Sequence, residues 1–315
     1  MNTIPNLWVL SIIPMINILI FPTGLTLILV GMFYEWIDRK LVARLQNRIG
    51  PRWFQPFADI VKLFAKEQIN PDKANALLFF GLPVLALSGA LTAALYVPLM
   101  GLAPVHSFPG DLIVTIYLLS LLTMSIGLAG WNTRSRFSLV GATRALTQTF
   151  AYEAPFMLAM LGPALAAGSW QINEINTYAS GHWMVLTQPI CFLVALIGLM
   201  GKLELPPFDA PEAETEIVAG ALTDYSGRGL AIFNIGKSVE LVIGITLIAS
   251  FYLGGLGGIL PFLIKTIALL LVMSVFQSLL TRLRIDQTVG LWWRFGAILA
   301  LAQILVMIVW KGYFQ

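Results

Sequence analysis

Five acidic residues and no basic one occupy a single short segment of the chain, PFDAPEAETEIVAGALTDYSG (207–227). Carboxylates that lie close together repel one another when all are ionised, so such a cluster can take up or release protons when a nearby charge changes. Apolar residues alternate with the acids, which favours burial in the protein or beneath a partner. Alternatively, a solvated helix starts near Glu212, with Glu212 and Glu216 on one face and its N-terminus stabilised by the acids. The five acids are Asp209, Glu212, Glu214, Glu216 and Asp224.

Glu153 stands in the interior of an apolar segment, in the stretch TFAYEAPFML. An ionisable group at membrane depth costs several kcal/mol unless it is paired or hydrated, so it is a functional candidate by default. Pro155 frees a backbone carbonyl nearby and favours a kinked, wet site. We therefore predict that Glu153 exchanges protons during transport. The alternative is a structural carboxylate that pairs with a neighbouring span.

Three cations accompany the acids within or beside apolar segments. Lys237 and Glu240 are three residues apart on one predicted helix, which puts them within pairing reach. Lys265 has no acid within its own predicted helix, and its alternative role is to extend towards the membrane surface. Arg144 shares a helix face with Gln148 at the end of a span, where it either takes part in coupling or anchors that end.

The composition predicts an integral membrane protein. Of the 315 residues, 58% are hydrophobic and 11% charged, and the mean hydropathy is +0.82, whereas about a quarter of the residues of a soluble domain are charged. The net charge of +3 does not indicate nucleic acid, because the basic residues follow membrane topology. With one cysteine and two histidines, we expect no cofactor to be bound by this chain and no metal site.

We predict an all-α protein with eight membrane spans in one polytopic domain, 1–315. The connections of odd number, with their flanks, hold 17 of the 19 Lys and Arg residues, so we expect them in the cytoplasm and both termini outside the cell membrane. The stretch QPFADIVKLFAKE (55–67) predicts an amphipathic helix along the membrane surface, with Phe57, Ile60, Val61 and Phe64 on its apolar face. The predicted spans are 7–34, 77–99, 111–130, 141–166, 184–203, 229–252, 258–280 and 291–310.

Four stretches resemble the H subunit of respiratory complex I and its homologues in membrane-bound [NiFe] hydrogenases and related ferredoxin-dependent complexes. They occur in the order and at the spacing of that family, and the resemblance covers essentially the whole chain. The stretches are DRKLVARLQNRIGPRWFQPFADIVKLFAKE (38–67), GATRALTQTFAYEAP (141–155), PFDAPEAETEIVAGALTDYSG (207–227) and TRLRIDQTVGLWWR (281–294).

The resemblance implies a subunit that joins a membrane arm to a peripheral arm carrying iron–sulfur clusters, and that couples redox chemistry to H+ or Na+ translocation. It implies antiporter-like and small membrane subunits as further partners, a [NiFe] centre on a partner in the hydrogenase branch, and a quinone cavity in complex I. Matching by motif assigns the junction or quinone-like cavity to Asp38, Arg39, Arg48, Asp59, Lys62, Arg282, Arg284 and Asp286. It assigns coupling to Arg144, Glu153, Glu212, Glu214, Glu216 and Asp224, to which the charged residues Glu204, Lys237, Glu240 and Lys265 are added.

Three departures from the family pattern fall near the quinone cavity. The chain reads Asp38-Arg39-Lys40 where complex I subunits tend to have Glu-Arg-Arg or Glu-Arg-Lys. The stretch GKLELP, with Lys202 and Glu204, replaces one that usually contains an arginine. Gly236-Lys237 replaces a Gly-Glu pair, and Glu240 follows one turn later. The departures favour a hydrogenase-like or ferredoxin-dependent complex over a quinone-site subunit. A stand-alone cation-coupled transporter is a second alternative, although the paired repeats common in that class are not found.

Overall fold

The computed structural model describes residues 20–72 and 74–314, without the side chains of 214–215 and 312–314, and all of its regular secondary structure is helical. The predicted all-α class is therefore confirmed. Short 3₁₀ turns at Leu99–Gly101 and Gly220–Leu222 and a π-helical turn at Trp292–Gly296 interrupt or connect the helices. The α-helices are α1 Leu25–Leu45, α2 Gln55–Ala65, α3 Ala76–Ala94, α4 Asp111–Thr133, α5 Arg136–Ala167, α6 Ile172–Gly181, α7 Met184–Thr187, α8 Pro189–Lys202, α9 Glu214–Ile217, α10 Gly227–Tyr252, α11 Ile259–Leu279, α12 Ile285–Leu291 and α13 Ala297–Phe314.

Within the described residues, six helical segments are long and apolar enough to cross a bilayer, so the count of eight remains a prediction. The first predicted span, 7–34, lies mostly outside the described residues. The fifth predicted span, 184–203, is divided into α7 and α8 at Gln188, because Pro189 disfavours helical geometry in the residue before it. The six segments are Ala76–Gly101, Asp111–Thr133, Arg136–Ala167, Gly227–Tyr252, Ile259–Leu279 and Ile285–Lys311.

Helix α10 is the centre of the packing. It contacts α1, α2, α3, α4, α6, α8 and α11, and 83% of its most apolar window is buried. Gly244 lets Leu199 of α8 approach it closely, since a Cβ there would lie 2.2 Å from the Leu199 side chain. A charged residue on α10 is therefore surrounded by the chain's own helices.

Helix α2 forms as predicted, but only part of its expected apolar face is buried. Phe57 and Ile60 pack against the core, whereas the side chains of Val61 and Phe64 are exposed. The exposed half of the stripe is left for lipid or for a partner.

The segment 203–226, named here the acidic connection, does not form the helix expected to start near Glu212. It contains only the single turn α9 and the 3₁₀ turn at Gly220–Leu222. Positive φ angles at Val218 and Gly220 stop a longer helix. Close contact with α5 fixes this path, because a Cβ on Gly141 would lie 2.3 Å from the backbone of Gly220, and Ser138 Oγ donates to the Ala221 carbonyl at 2.7 Å.

Candidate functional site

A buried ion pair joins α8 to α10. Lys202 and Glu240 have side chains only 1% and 0% exposed, with 3.7 Å between Lys202 Nζ and Glu240 Oε1. Lys202 Nζ also donates to Ser120 Oγ of α4 at 3.1 Å, and the Ser120 hydroxyl donates to Glu153 of α5. Four helices thus position one continuous polar chain, Glu153–Ser120–Lys202–Glu240, in the interior of the fold.

Lys237 begins a second group of charges one turn from Glu240. It donates to Glu204 Oε2 at 2.7 Å and to a carboxylate oxygen of Glu212. The predicted Lys237–Glu240 pair is therefore wrong: each residue has a closer partner on another part of the chain. Burial raises the pKa of Glu204, and the ammonium group of Lys237 opposes that shift.

A cavity of about 420 Å³ opens beside this group, between α1, α10 and the acidic connection. Eight of its fifteen lining residues are ionisable. Glu35, which carried no signal in the sequence, lines it, pairs with Arg39 one turn away and accepts a hydrogen bond from Ser238 Oγ at 2.7 Å. Asp38 lines it as well, and accepts from Ser274 Oγ at 2.7 Å and from Gln277 Nε2 at 3.1 Å. Charged groups thus lead from this cavity to the buried chain.

Two arginines fasten the acidic connection to the rest of the molecule. Arg282 forms two hydrogen bonds with Asp209, of 2.9 and 2.6 Å. Arg144 donates to Glu216 at 2.7 Å, and this bond with the adjacent guanidinium charge lowers the pKa of Glu216. Gln148, one turn from Arg144, donates to the carbonyls of Gly201 and Phe208. The arginines hold the loop that carries Glu212 against the cavity.

Several predicted site residues are not brought into this network. Lys265 donates to the carbonyls of Gly254 and Gly255, as expected for a lysine that extends towards a helix end. Arg284 pairs only with its neighbour Asp286, at 3.4 Å and largely exposed.

The remaining predicted residues have more local environments. Asp59 lies 3.8 Å from Arg39 and lines a smaller cavity of about 260 Å³ together with Lys62, while Arg48 is exposed. Asp224 has one buried carboxylate oxygen without a hydrogen-bond partner among the described residues. The side chain of Glu214 lies outside the described part.

Three members of the network carried little sequence signal. Lys202 was noted only as a departure from a family pattern, and its place at the end of an apolar segment was compatible with a surface anchor. Ser120 is a neutral residue in a run of apolar ones. No group of three or more His, Cys, Asp or Glu residues suited to a metal ion occurs within the described residues.

The fold and the site define a multi-pass helical membrane protein in which a charged cavity is joined to carboxylates buried among the spans. A family model described as NADH dehydrogenase matches residues 16–308, and the chain belongs to that family. The second of the H subunits of the NADH-quinone oxidoreductase of Geobacter sulfurreducens is 33% identical over 310 residues, covering 91% of this chain and 93% of the relative. The corresponding protein of Syntrophobacter fumaroxidans is 34% identical with the same coverage.

The fold is also that of a solved structure. A chain of the membrane-bound sulfane sulfur reductase, described as an archaeal respiratory membrane complex, superposes with a TM-score of 0.81 at 24% identity. The match covers 89% of this chain and 95% of the solved one. At that identity the likeness establishes the shared fold.

Proposed function

We propose that this chain is the coupling membrane subunit of a complex I-like oxidoreductase, and that its buried carboxylates and lysines transmit redox events to H+ or Na+ translocation. The observation that carries the proposal is the charged route from the cavity through Lys237 and Glu204 to Glu240, Lys202 and Glu153. Buried charges in a membrane protein are costly and mark ion pathways. A purely structural anchor would not need them.

The cavity is proposed as the place where the redox reaction acts on this route. A change of charge or protonation near Glu212 would alter the field at Lys237, which touches both Glu212 and Glu204. Lys237 and Glu240 are one turn apart on α10, so a shift of the lysine changes the field at the buried Glu240–Lys202 pair. The charges are thereby coupled in sequence, without electron transfer through this chain.

The junction with a peripheral iron–sulfur arm is proposed at the surface that surrounds the cavity, on the cytoplasmic side predicted by the distribution of Lys and Arg. Arg282, Asp209 and Glu216 form its rim, and Arg39 and Asp59 lie beside α2. A dense set of exposed charges is suited to a docked protein surface. Antiporter-like membrane subunits are proposed as the receivers of the signal from Glu153.

Two kinds of electron acceptor fit this proposal, and different observations support each. The relatives named NADH-quinone oxidoreductase favour a quinone. The cavity itself favours a hydrogenase-like or ferredoxin-dependent partner, because more than half of its lining is ionisable, whereas a quinone ring and tail call for a mostly apolar pocket. Identification of the co-purifying subunits distinguishes these branches, and a protein purified alone would favour the stand-alone transporter.

The substitution Glu153→Gln tests the coupling role. An amide keeps the size of the side chain and its contact with Ser120 but cannot carry a proton, so we expect coupled cation uptake into membrane vesicles to fall at least about tenfold. Reduction of the electron acceptor, measured in the same vesicles, should continue. Glu174→Gln, which neutralises an exposed acid on α6, is the matched control. Wild-type uptake per electron in the Glu153 variant would refute the proposal.

A further inference from the structure

The segment that follows α1 forms an aromatic groove of about 600 Å³ against that helix. The groove, as named here, is lined by Phe33, Trp36, Lys40, Arg52, Trp53 and Phe54. The rings of Phe33 and Trp36 lie 5.2 Å apart and those of Trp53 and Phe54 5.9 Å apart. The Trp36 indole N–H donates to the Pro51 carbonyl at 3.3 Å, which fastens the segment to α1.

The groove lies in the most positive stretch of the sequence. Basic residues recur every four positions at Lys40, Arg44, Arg48 and Arg52, and no acid occurs from 40 to 58. Lys40 Nζ donates to the Ile49 carbonyl at 2.8 Å. In the described part of the chain, neither Lys40 nor Arg52 pairs with a carboxylate. Two cations therefore border the groove without a counter-charge of their own.

An exposed apolar stripe runs along α1 to these cations. Leu25, Leu29 and Phe33 follow one another at four-residue intervals and are 54%, 45% and 42% exposed. Lys40 lies two turns beyond Phe33, on the same side of the helix. The stripe has the character of a lipid-facing surface, and it meets the aromatic and cationic residues where a membrane interface is expected.

We propose that the aromatic groove binds the phosphate headgroup of an anionic phospholipid, with an acyl chain along the Leu25–Phe33 stripe. Lys40 and Arg52 supply the charge complementary to the phosphate, and the tryptophans supply amphipathic walls at headgroup level. An acidic protein surface would match the cations as well, but it would leave the apolar stripe on the same face of α1 uncovered. The site is separate from the coupling route, and it would place an anionic lipid at the base of the predicted peripheral-arm junction.

The test uses the whole complex, purified in neutral detergent and depleted of lipid, with phospholipid binding followed by native mass spectrometry. We expect Lys40→Gln with Arg52→Gln to weaken phosphatidylglycerol binding about tenfold or more and to leave phosphatidylcholine binding unchanged. The matched control is Lys66→Gln with Arg228→Gln, which removes two exposed cations outside the groove. Arg52→Gln alone, at an exposed position, keeps the test informative if the double variant fails to assemble.

Three results would overturn the proposal. One is equal phosphatidylglycerol binding by the groove variant and the control variant. Another is displacement of the lipid from the wild-type complex by an equal concentration of inorganic phosphate, which would make this a phosphate site rather than a lipid site. The third is loss of the soluble subunits from the groove variant while lipid binding persists, which would assign the cations to an acidic partner protein.

Discussion

Removal of the Lys202 charge should destabilise the assembled protein by several kcal/mol. The pair Lys202–Glu240 is fully buried with a separation of 3.7 Å, which corresponds to about 4 kcal/mol at an effective dielectric constant of about 20. This agrees with the roughly 3–5 kcal/mol lost when one partner of a buried pair is removed. Lys202→Met keeps the length and apolar stem of the side chain, so the loss should come mainly from the charge left on Glu240.

The double variant Lys202→Met with Glu240→Gln separates charge from packing. It leaves no unpaired buried charge, so stability should recover by more than half, while coupled cation transport stays lost. The measurement is the apparent Tm of the purified complex, for which we expect a fall of about 5–10 °C in the single variant. An unchanged Tm in Lys202→Met, or a double variant less stable than the single one, would show that the two charges do not depend on each other.

The other predictions concern the acidic connection. In Gly141→Ala the added Cβ meets the backbone of Gly220 at 2.3 Å, so we expect a loss of about 1–3 kcal/mol, measured as a lower Tm; Gly81→Ala, where nothing lies within 4 Å, should be neutral or slightly stabilising, and equal effects would refute this contact. The lowered pKa of Glu216 means that its bond to Arg144 contributes fully above pH 4.5 and is lost as the pH falls through the lower folded value. Amide hydrogen exchange across this connection should therefore rise below pH 4.5 in the wild type and be already fast, and independent of pH-linked protonation, in Glu216→Gln; a wild-type profile in that variant would contradict it.

Charge type and position along the chain predicted much of the site. Glu153, Glu240 and Lys237 stood out because ionisable residues are rare within apolar runs, and all three lie in or beside the buried network. The acids of the segment 207–227 do surround a cavity, as their alternation with apolar residues indicated. These features follow from composition and from the cost of burying charge.

The pairing of those charges was not predictable in the same way. Sequence spacing connected Lys237 with Glu240, but spacing along one helix cannot report a closer carboxylate on a neighbouring segment, here Glu204. The helix expected from Glu212 also failed to extend, because close packing against Gly141 selects a strained, glycine-containing path. Lys202 and Ser120 become recognisable only when α4 and α8 are brought together in space.

Enclosure of α10 by the chain's own helices has a consequence for experiment. Since Glu240 is shielded by segments of the same polypeptide, its surroundings do not require a neighbouring protein to complete them. The carbonyl stretch of its carboxyl group is therefore a suitable infrared reporter, and isotope labelling of this single chain would distinguish that signal from those of the partners. An enclosed carboxyl group turns a coupling element into a spectroscopic probe that travels with the polypeptide itself.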